Sequence, residues 1–174
     1  MKNYSLNNIS EWAKDVKAGD AVSLSGVIYT ARDAAHKKIC ESISKGEEIP
    51  FELKGATIYY AGPTGTPPGK VIGSIGPTTS SRMDKFTPTL LDLGLAAIIG
   101  KGDRSAAVVD SIAKNGALYF CAVGGAGAYI ANCVKSCEVI AYPELGCESI
   151  KKLYVEDFLV FCAIDTFKNS IFDR

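Results

Sequence analysis

An α/β fold with a mixed sheet is what this sequence predicts, on three observations. Apolar, β-branched stretches alternate with helix-like stretches from Ala21 to Tyr142, which is the pattern of parallel βαβ units. The segment Lys152 to Asp165 (KLYVEDFLVFCAID) is strand-like throughout, with no helix inside it. Hydrophobic residues make up 47% of the chain and charged residues 22%, a globular balance far from that of disordered chains. With 174 residues one core is expected, so residues 1–174 read as a single domain burying roughly 70% of the surface of its unfolded chain.

Each element follows in order. Ala21 to Thr30 (AVSLSGVIYT) reads as a strand after the Gly19-Asp20 turn, and Ala31 to Lys45 as a helix. Ala56 to Ala61 (ATIYYA) reads as a buried strand running into the loop Gly62 to Lys70, whose prolines and glycines forbid a helix. Val71 to Ile75 is expected as a short strand, and Gly76 to Ser81 as a turn ending in a helix cap. A helix from about Arg82 to Leu93 follows, kinked or divided by Pro88. Then come strand Ala96 to Ile99, helix Ser105 to Lys114, strand Ala117 to Val123, helix Gly125 to Val134 and strand Glu138 to Tyr142. Lys152 to Asp165 is expected to supply two strands.

Charge and composition exclude several functions. Nineteen basic and nineteen acidic residues cancel, so the overall field does not recruit polyanions, and nucleic acid is a poor partner. No apolar run approaches the ~20 residues of a membrane span, and Met1 to Lys14 has no apolar core before a cleavage site; a cytoplasmic chain is expected. The six cysteines lie mostly in apolar stretches, where a free thiol behaves as a small hydrophobe. Cys133 and Cys137 would share a helix face, but zinc and iron–sulfur sites usually need four ligands. No metal ligand is assigned.

Basic and hydroxyl groups gather in three loops. In Thr30-Ala31-Arg32-Asp33-Ala34-Ala35-His36, at a strand-to-helix junction, Arg32 is placed to grip a carboxylate through two parallel hydrogen bonds. It could equally pair with Asp33 or another nearby acid. His36, the only histidine, suits a structural hydrogen bond better than a base. The second loop, Gly76 to Asp84 (GPTTSSRMD), offers the hydroxyls of Thr78, Thr79, Ser80 and Ser81 and the charge of Arg82 at a helix start. Free amides there favour an anion, although an ordinary cap needs only one hydroxyl. In the third, Ile99-Gly100-Lys101-Gly102-Asp103, glycines flank an exposed Lys101, which is either a turn lysine or a functional cation.

Two glycine patterns suggest nucleotide binding. Gly62 to Lys70 resembles a phosphate loop, but six residues separate Gly62 from Gly69, Val71 stands where Ser or Thr is required, and prolines remove needed amides. Gly125-Ala-Gly127-Ala-Tyr-Ile130 follows a strand and opens a helix, but Ile130 occupies the place of a small residue. A stand-alone nucleotide- or metabolite-binding domain is therefore the alternative function, with close helix packing the other use of these glycines.

Together, TARDAAHKK (Thr30 to Lys38), GPTTSSRMD (Gly76 to Asp84), IIGKGD (from Ile98 to Asp103), GGAGAY (Gly124 to Tyr129) and VEDFLVFCAID (Val155 to Asp165) resemble the β subunit, or C-terminal domain, of class I iron–sulfur fumarate hydratases and L-tartrate dehydratases. The resemblance implies a swivelling β/β/α domain with flanking helices. It implies that Arg32 and Arg82 bind substrate carboxylates, that Thr78 lies at the carbon losing its proton, and that Lys101 adds positive charge; Thr78 and Lys101 are the catalytic candidates. It further implies a four-iron four-sulfur cluster on a partner α subunit and not on this chain, a small 2-hydroxy dicarboxylate as substrate, and a hetero-oligomer, on the pattern of a dimer of heterodimers.

Overall fold

The computed structural model describes residues 1–173 and places seven strands in one sheet. Strands β1 (Lys2–Ser5), β2 (Ala21–Thr30), β3 (Thr57–Tyr59), β4 (Ala97–Gly100) and β5 (Leu118–Cys121) lie side by side and parallel. Strands β6 (Val134–Ala141) and β7 (Ile150–Ile164) complete the sheet in antiparallel sense. Because β7 pairs with β2 as well as with β5 and β6, the run β2, β3, β4, β5, β7 closes on itself. The helices are α1 (Ile9–Trp12), α2 (Asp33–Lys45), α3 (Thr87–Asp92), α4 (Ala106–Asn115) and α5 (Gly127–Cys133).

The short central strands are apolar on both faces because both faces are covered. Alternation sends Tyr59, Ile99 and Phe120 into one core with Leu24, Trp12 and Phe158. Their neighbours Ile58, Ile98 and Tyr119 enter a second core with Ile39 of α2, Leu90 of α3 and Ile112 of α4. Each such side chain contributes roughly 1.5–3 kcal/mol when fully buried, which anchors the strand ends from which the loops emerge.

Three expectations change in detail, and one further segment has no sequence-based assignment. Val71 to Ile75 is not a strand: the Ile75 amide donates to the Gly127 carbonyl at 3.0 Å, its own carbonyl accepts from the Tyr59 hydroxyl at 2.8 Å, and the Thr64 amide donates to the Ser74 carbonyl at 2.9 Å. With those groups satisfied by loops and a tyrosine, no ladder forms. The span Arg82 to Leu93 is a 3-10 turn at Ser80–Met83 followed by α3, and Pro88 sits in the first turn of α3, where its missing N–H costs nothing. The segment Lys152 to Asp165 supplies one continuous strand, β7, not two, with Asp165 just past its end; β7 bends at Asp157, whose φ of 54° is left-handed. Opposite it the register of β2 shifts between Leu24 and Gly26, so a bulge turns the strand without ending it. Finally, β1 and α1 in the first fifteen residues had no sequence signal strong enough to assign, and Trp12 of α1 is buried in the first core. Among the described residues no helix is long and apolar enough to cross a membrane.

Candidate functional site

Parallel pairing of β2 to β5 delivers the loops after all four strands to one edge of the sheet, the edge where open α/β sheets receive ligands. Those loops are laced to one another by backbone hydrogen bonds. The Ala31 amide donates to the Tyr59 carbonyl at 3.2 Å, the Tyr60 amide to Ile99 at 2.8 Å and the Ala122 amide to Gly100 at 2.9 Å. The three loops singled out in the sequence are therefore neighbours.

Arg32 and Arg82 line one open pocket of about 400 Å³ with Asp33, Lys37, Lys85 and Glu148. Four cations against two carboxylates give its lining a net positive charge, which favours an anion over a cation there. Lys37 and Lys85 were not singled out in the sequence; as ordinary surface lysines they carried no spacing signal. The two arginines are held differently. Both oxygens of Asp33 engage Arg82, Oδ1 accepting from Nε at 2.9 Å and Oδ2 from Nη2 at 2.8 Å. Arg32 meets Glu148 only at 3.5 Å through Nε, and that buried Nε makes no hydrogen bond among the described residues. Gly62 stands against the Arg32 side chain, where an added Cβ would come within 3.2 Å of Nη1. The Pro/Gly-rich loop that mimics a phosphate loop is thus a wall for Arg32.

Thr78 and Lys101 lie outside that pocket's lining, on the adjoining loops of the same edge. The Thr78 amide donates to the Tyr60 carbonyl at 2.7 Å, and its partly exposed hydroxyl makes no hydrogen bond among the described residues. The residue preceding the 3-10 turn is Thr79, whose side chain makes no capping bond; helix capping, the bland alternative for Thr78, is not what its hydroxyl does. Nor are the amides here a free anion nest, since that of Ser80 donates to the Lys101 carbonyl at 3.0 Å. Ser80 is buried, and its Oγ accepts the Lys101 amide at 3.0 Å. These bonds set Lys101, exposed and without an ion-pair partner among the described residues, beside the Thr78 loop.

Beneath the loops lies an ion pair that sequence reading missed. Arg104 is 6% exposed and donates through Nε to Asp84 at 2.6 Å and through Nη2 to the Thr87 hydroxyl at 2.8 Å. The second Asp84 oxygen accepts the Ser105 amide at 2.7 Å. Asp84 ends the GPTTSSRMD motif and Arg104 directly follows IIGKGD, so the pair clamps the second loop to the third. Arg104 directly follows a glycine-rich turn, a position that carries no local signal of burial.

His36 is wholly buried, its ring edge-on to Tyr60 and stacked on Phe86. Its Nδ1 lies 2.8 Å from the Arg32 carbonyl, which assigns the proton to Nδ1. Burial lowers its pKa from 6.5 to about 4, so the imidazole is neutral at pH 7 and holds the backbone of Arg32.

The cysteines do not fit an iron–sulfur cluster. Among the described residues no three His, Cys, Asp or Glu are grouped as a metal requires. Burial raises the thiols of Cys40, Cys121, Cys133 and Cys137, and pushes that of Cys162 up to about 12, as befits cysteines that pack as small hydrophobes. The glycine-rich turn before α5 also loses its nucleotide reading. The helix spans only Gly127–Cys133, and a Cβ on Gly127 would lie 2.9 Å from the Gly76 amide nitrogen. Its glycine serves close packing against the Thr78 loop.

Fold and edge define a class: a mixed α/β domain whose parallel strands carry two arginines and a lysine to the loops of one edge. Comparison with known proteins supplies the family. The whole chain, residues 1–174, matches the family described as Fumarase C-terminus, and it belongs to that family. It is 44% identical to the anaerobic class I fumarate hydratase of Escherichia coli over 155 residues, covering 88% of this chain and 28% of that protein. It is 37% identical to fumarate hydratase 2 of Leishmania major over 171 residues, covering 97% of this chain and 30% of that one. With a protein of Methanocaldococcus jannaschii provisionally named L(+)-tartrate dehydratase subunit beta it shares 38% identity over 178 residues, 98% of this chain and 91% of that one. The chain therefore spans under a third of the fumarate hydratases it matches and nearly all of the β subunit.

Proposed function

We propose that this chain is the substrate-clamping subunit of a cytoplasmic iron–sulfur hydro-lyase, which reversibly dehydrates a small 2-hydroxy dicarboxylate, malate to fumarate or tartrate to oxaloacetate. The observation that carries it is the meeting of Arg32 and Arg82, from two separate loops, in one cationic pocket at the ligand edge of the sheet. Two arginines suit a diacid because each guanidinium matches one carboxylate in plane and charge. A partner α subunit is proposed to carry the four-iron four-sulfur cluster, since the thiols here do not fit one, and the similarity to nearly the whole of a β subunit supports that division. The cytoplasm suits a chain whose six cysteines are all free.

Within the reaction this chain's part is binding and proton removal. Arg32 and Arg82 fix the two carboxylates, which presents the hydrogen-bearing carbon to the Thr78 hydroxyl. As that proton passes to Thr78, negative charge spreads toward the adjacent carboxylate, where a cation already in place stabilises the transition state without reorganising. The C–O bond on the neighbouring carbon breaks to release hydroxide, a departure for which the partner's cluster would supply Lewis acidity. A hydroxyl is a weak base, so Thr78 depends on the positive charge of Lys101 on the neighbouring loop to favour its deprotonated form. Losing Lys101 should therefore depress kcat more than it raises KM.

Anaerobic purification of the chain with its cluster-carrying partner, followed by assay of L-malate and L-tartrate, tests the proposal. Turnover by the pair and by neither part alone is the expected result. A stoichiometric cluster and turnover on this chain alone would overturn the two-subunit arrangement.

A further inference from the structure

We infer that Asp33 is a positioning residue for the reaction: it fixes the Arg82 guanidinium by one edge so that the other edge faces the substrate carboxylate. The inference rests on the proposed role of Arg82 and goes beyond it by assigning a task to the acid beside Arg32. A guanidinium has five N–H groups, one on Nε and two on each terminal nitrogen. Asp33 takes the Nε–H and one N–H of Nη2, at 2.9 and 2.8 Å. Both hydrogens of Nη1 and the second hydrogen of Nη2 remain; one from each nitrogen forms the end-on edge that receives a carboxylate through two parallel bonds.

The local structure explains why the partner must be this residue. Asp33 is the first residue of α2, so its backbone is fixed by a 13-residue helix while its side chain projects at the pocket. Arg82 lies within the 3-10 turn Ser80–Met83, with its side chain 50% exposed. A long side chain so exposed is otherwise free to sample many rotamers, and ordering it only when substrate arrives would cost affinity and aim. The two-point contact with Asp33 orders it beforehand. One dipeptide, Arg32-Asp33, then serves both ends of the diacid: Arg32 grips one carboxylate and Asp33 aims the group that grips the other.

A competing role is that Asp33 merely occupies Arg82 until substrate displaces it. The two roles predict opposite signs. If Asp33 competes, removing its charge lowers KM and leaves kcat intact; if it positions, removal lowers kcat/KM.

The test uses the assembled enzyme with its cluster-carrying partner, assayed with L-malate and L-tartrate, and compares Asp33→Asn, Asp33→Glu and Arg82→Lys with the Asp33→Asn/Arg82→Lys double variant. Asp33→Asn keeps the shape but turns one acceptor into a donor that faces an N–H, so kcat/KM should fall about tenfold, and Asp33→Glu should recover most of the loss. In the Arg82→Lys background the same change should cost less than about twofold, because the group it aims is gone. An equal loss in both backgrounds, an unchanged kcat/KM, or a lowered KM with intact kcat would each overturn the inference while leaving Arg82 in place. Parental kinetics for Arg82→Lys would instead overturn the carboxylate-binding role of Arg82, and the inference with it.

Discussion

Two Arg–Asp pairs lie at the same edge of this protein, and burial separates what they do. Arg104 and Asp84 are 0% and 14% exposed in their side chains; Arg82 and Asp33 are 50% and 34% exposed. In both, a carboxylate accepts from Nε at under 3 Å. The buried pair joins two loops and its Arg104 side chain has no exposed surface, so removing Asp84 strands that charge among Tyr60, Tyr119 and Thr87. The exposed pair sits in water's screening, contributes roughly 0–1 kcal/mol to folding, and points at the pocket. The same two residue types form a buried clamp between loops in one setting and a solvent-facing pair on a pocket wall in the other, which neither residue type nor spacing alone discloses.

The sharpest separation of function from stability is expected at Thr78. Thr78→Ala in the assembled enzyme should lower kcat by roughly 10²–10⁴-fold, as loss of a proton-transferring group does, while the melting temperature stays near that of the parent because the hydroxyl caps nothing. Kinetics within a few-fold of the parent would remove Thr78 from the chemistry. Asp84→Ala should show the reverse pattern, a loss of about 3–5 kcal/mol in chemical denaturation, with activity falling only through unfolding or loosened loops. A destabilisation below about 1 kcal/mol would place the buried pair in the class of ordinary surface contacts.

His36 extends the comparison to a buried base with no carboxylate bonded to it. Arg104 keeps its charge against Asp84, whereas His36, hydrogen-bonded only to a carbonyl, has its pKa depressed from 6.5 to about 4. As pH falls through that window the unfolded chain binds a proton that the folded chain refuses, so stability is lost toward acid by up to roughly 3 kcal/mol. Denaturant midpoints at pH 7 and pH 4.5 should therefore diverge more in the parent than in His36→Phe, which keeps an aromatic ring between Tyr60 and Phe86. Equal divergence in both proteins would mean that His36 is protonated in the folded state.

Much of this was legible in the sequence for a physical reason. The βαβ order, the strand ending at Thr30, a strand within Ala56 to Ala61 and the placing of Arg32, Arg82 and Lys101 in loops after strands all follow from local pattern, and parallel crossovers bring those loops together. What escaped were features set by long-range contact. Val71 to Ile75 has strand composition, yet Tyr59, Thr64 and Gly127 satisfy its polar backbone groups first. The length of β7 depends on Asp157 adopting a left-handed conformation opposite Ser25, whose hydroxyl accepts the Asp157 amide at 3.1 Å. Asp33, Asp84 and Arg104 are separated by 49 and 20 residues from their partners, so no local pattern could pair them, and Asp33 read as a rival for Arg32 when its partner is Arg82.

The central claim is that Arg82 grips a substrate carboxylate through the plane of its guanidinium, and Arg82→Lys tests it most directly because the charge is retained and only the two-point geometry is lost. In the assembled enzyme kcat/KM for the diacid should fall roughly tenfold or more, corresponding to ~1.5–3 kcal/mol of charged hydrogen bonding, with Arg32→Lys behaving alike. Parental kcat/KM for Arg82→Lys in a complex that retains its cluster would contradict the account and return Arg82 to the surface.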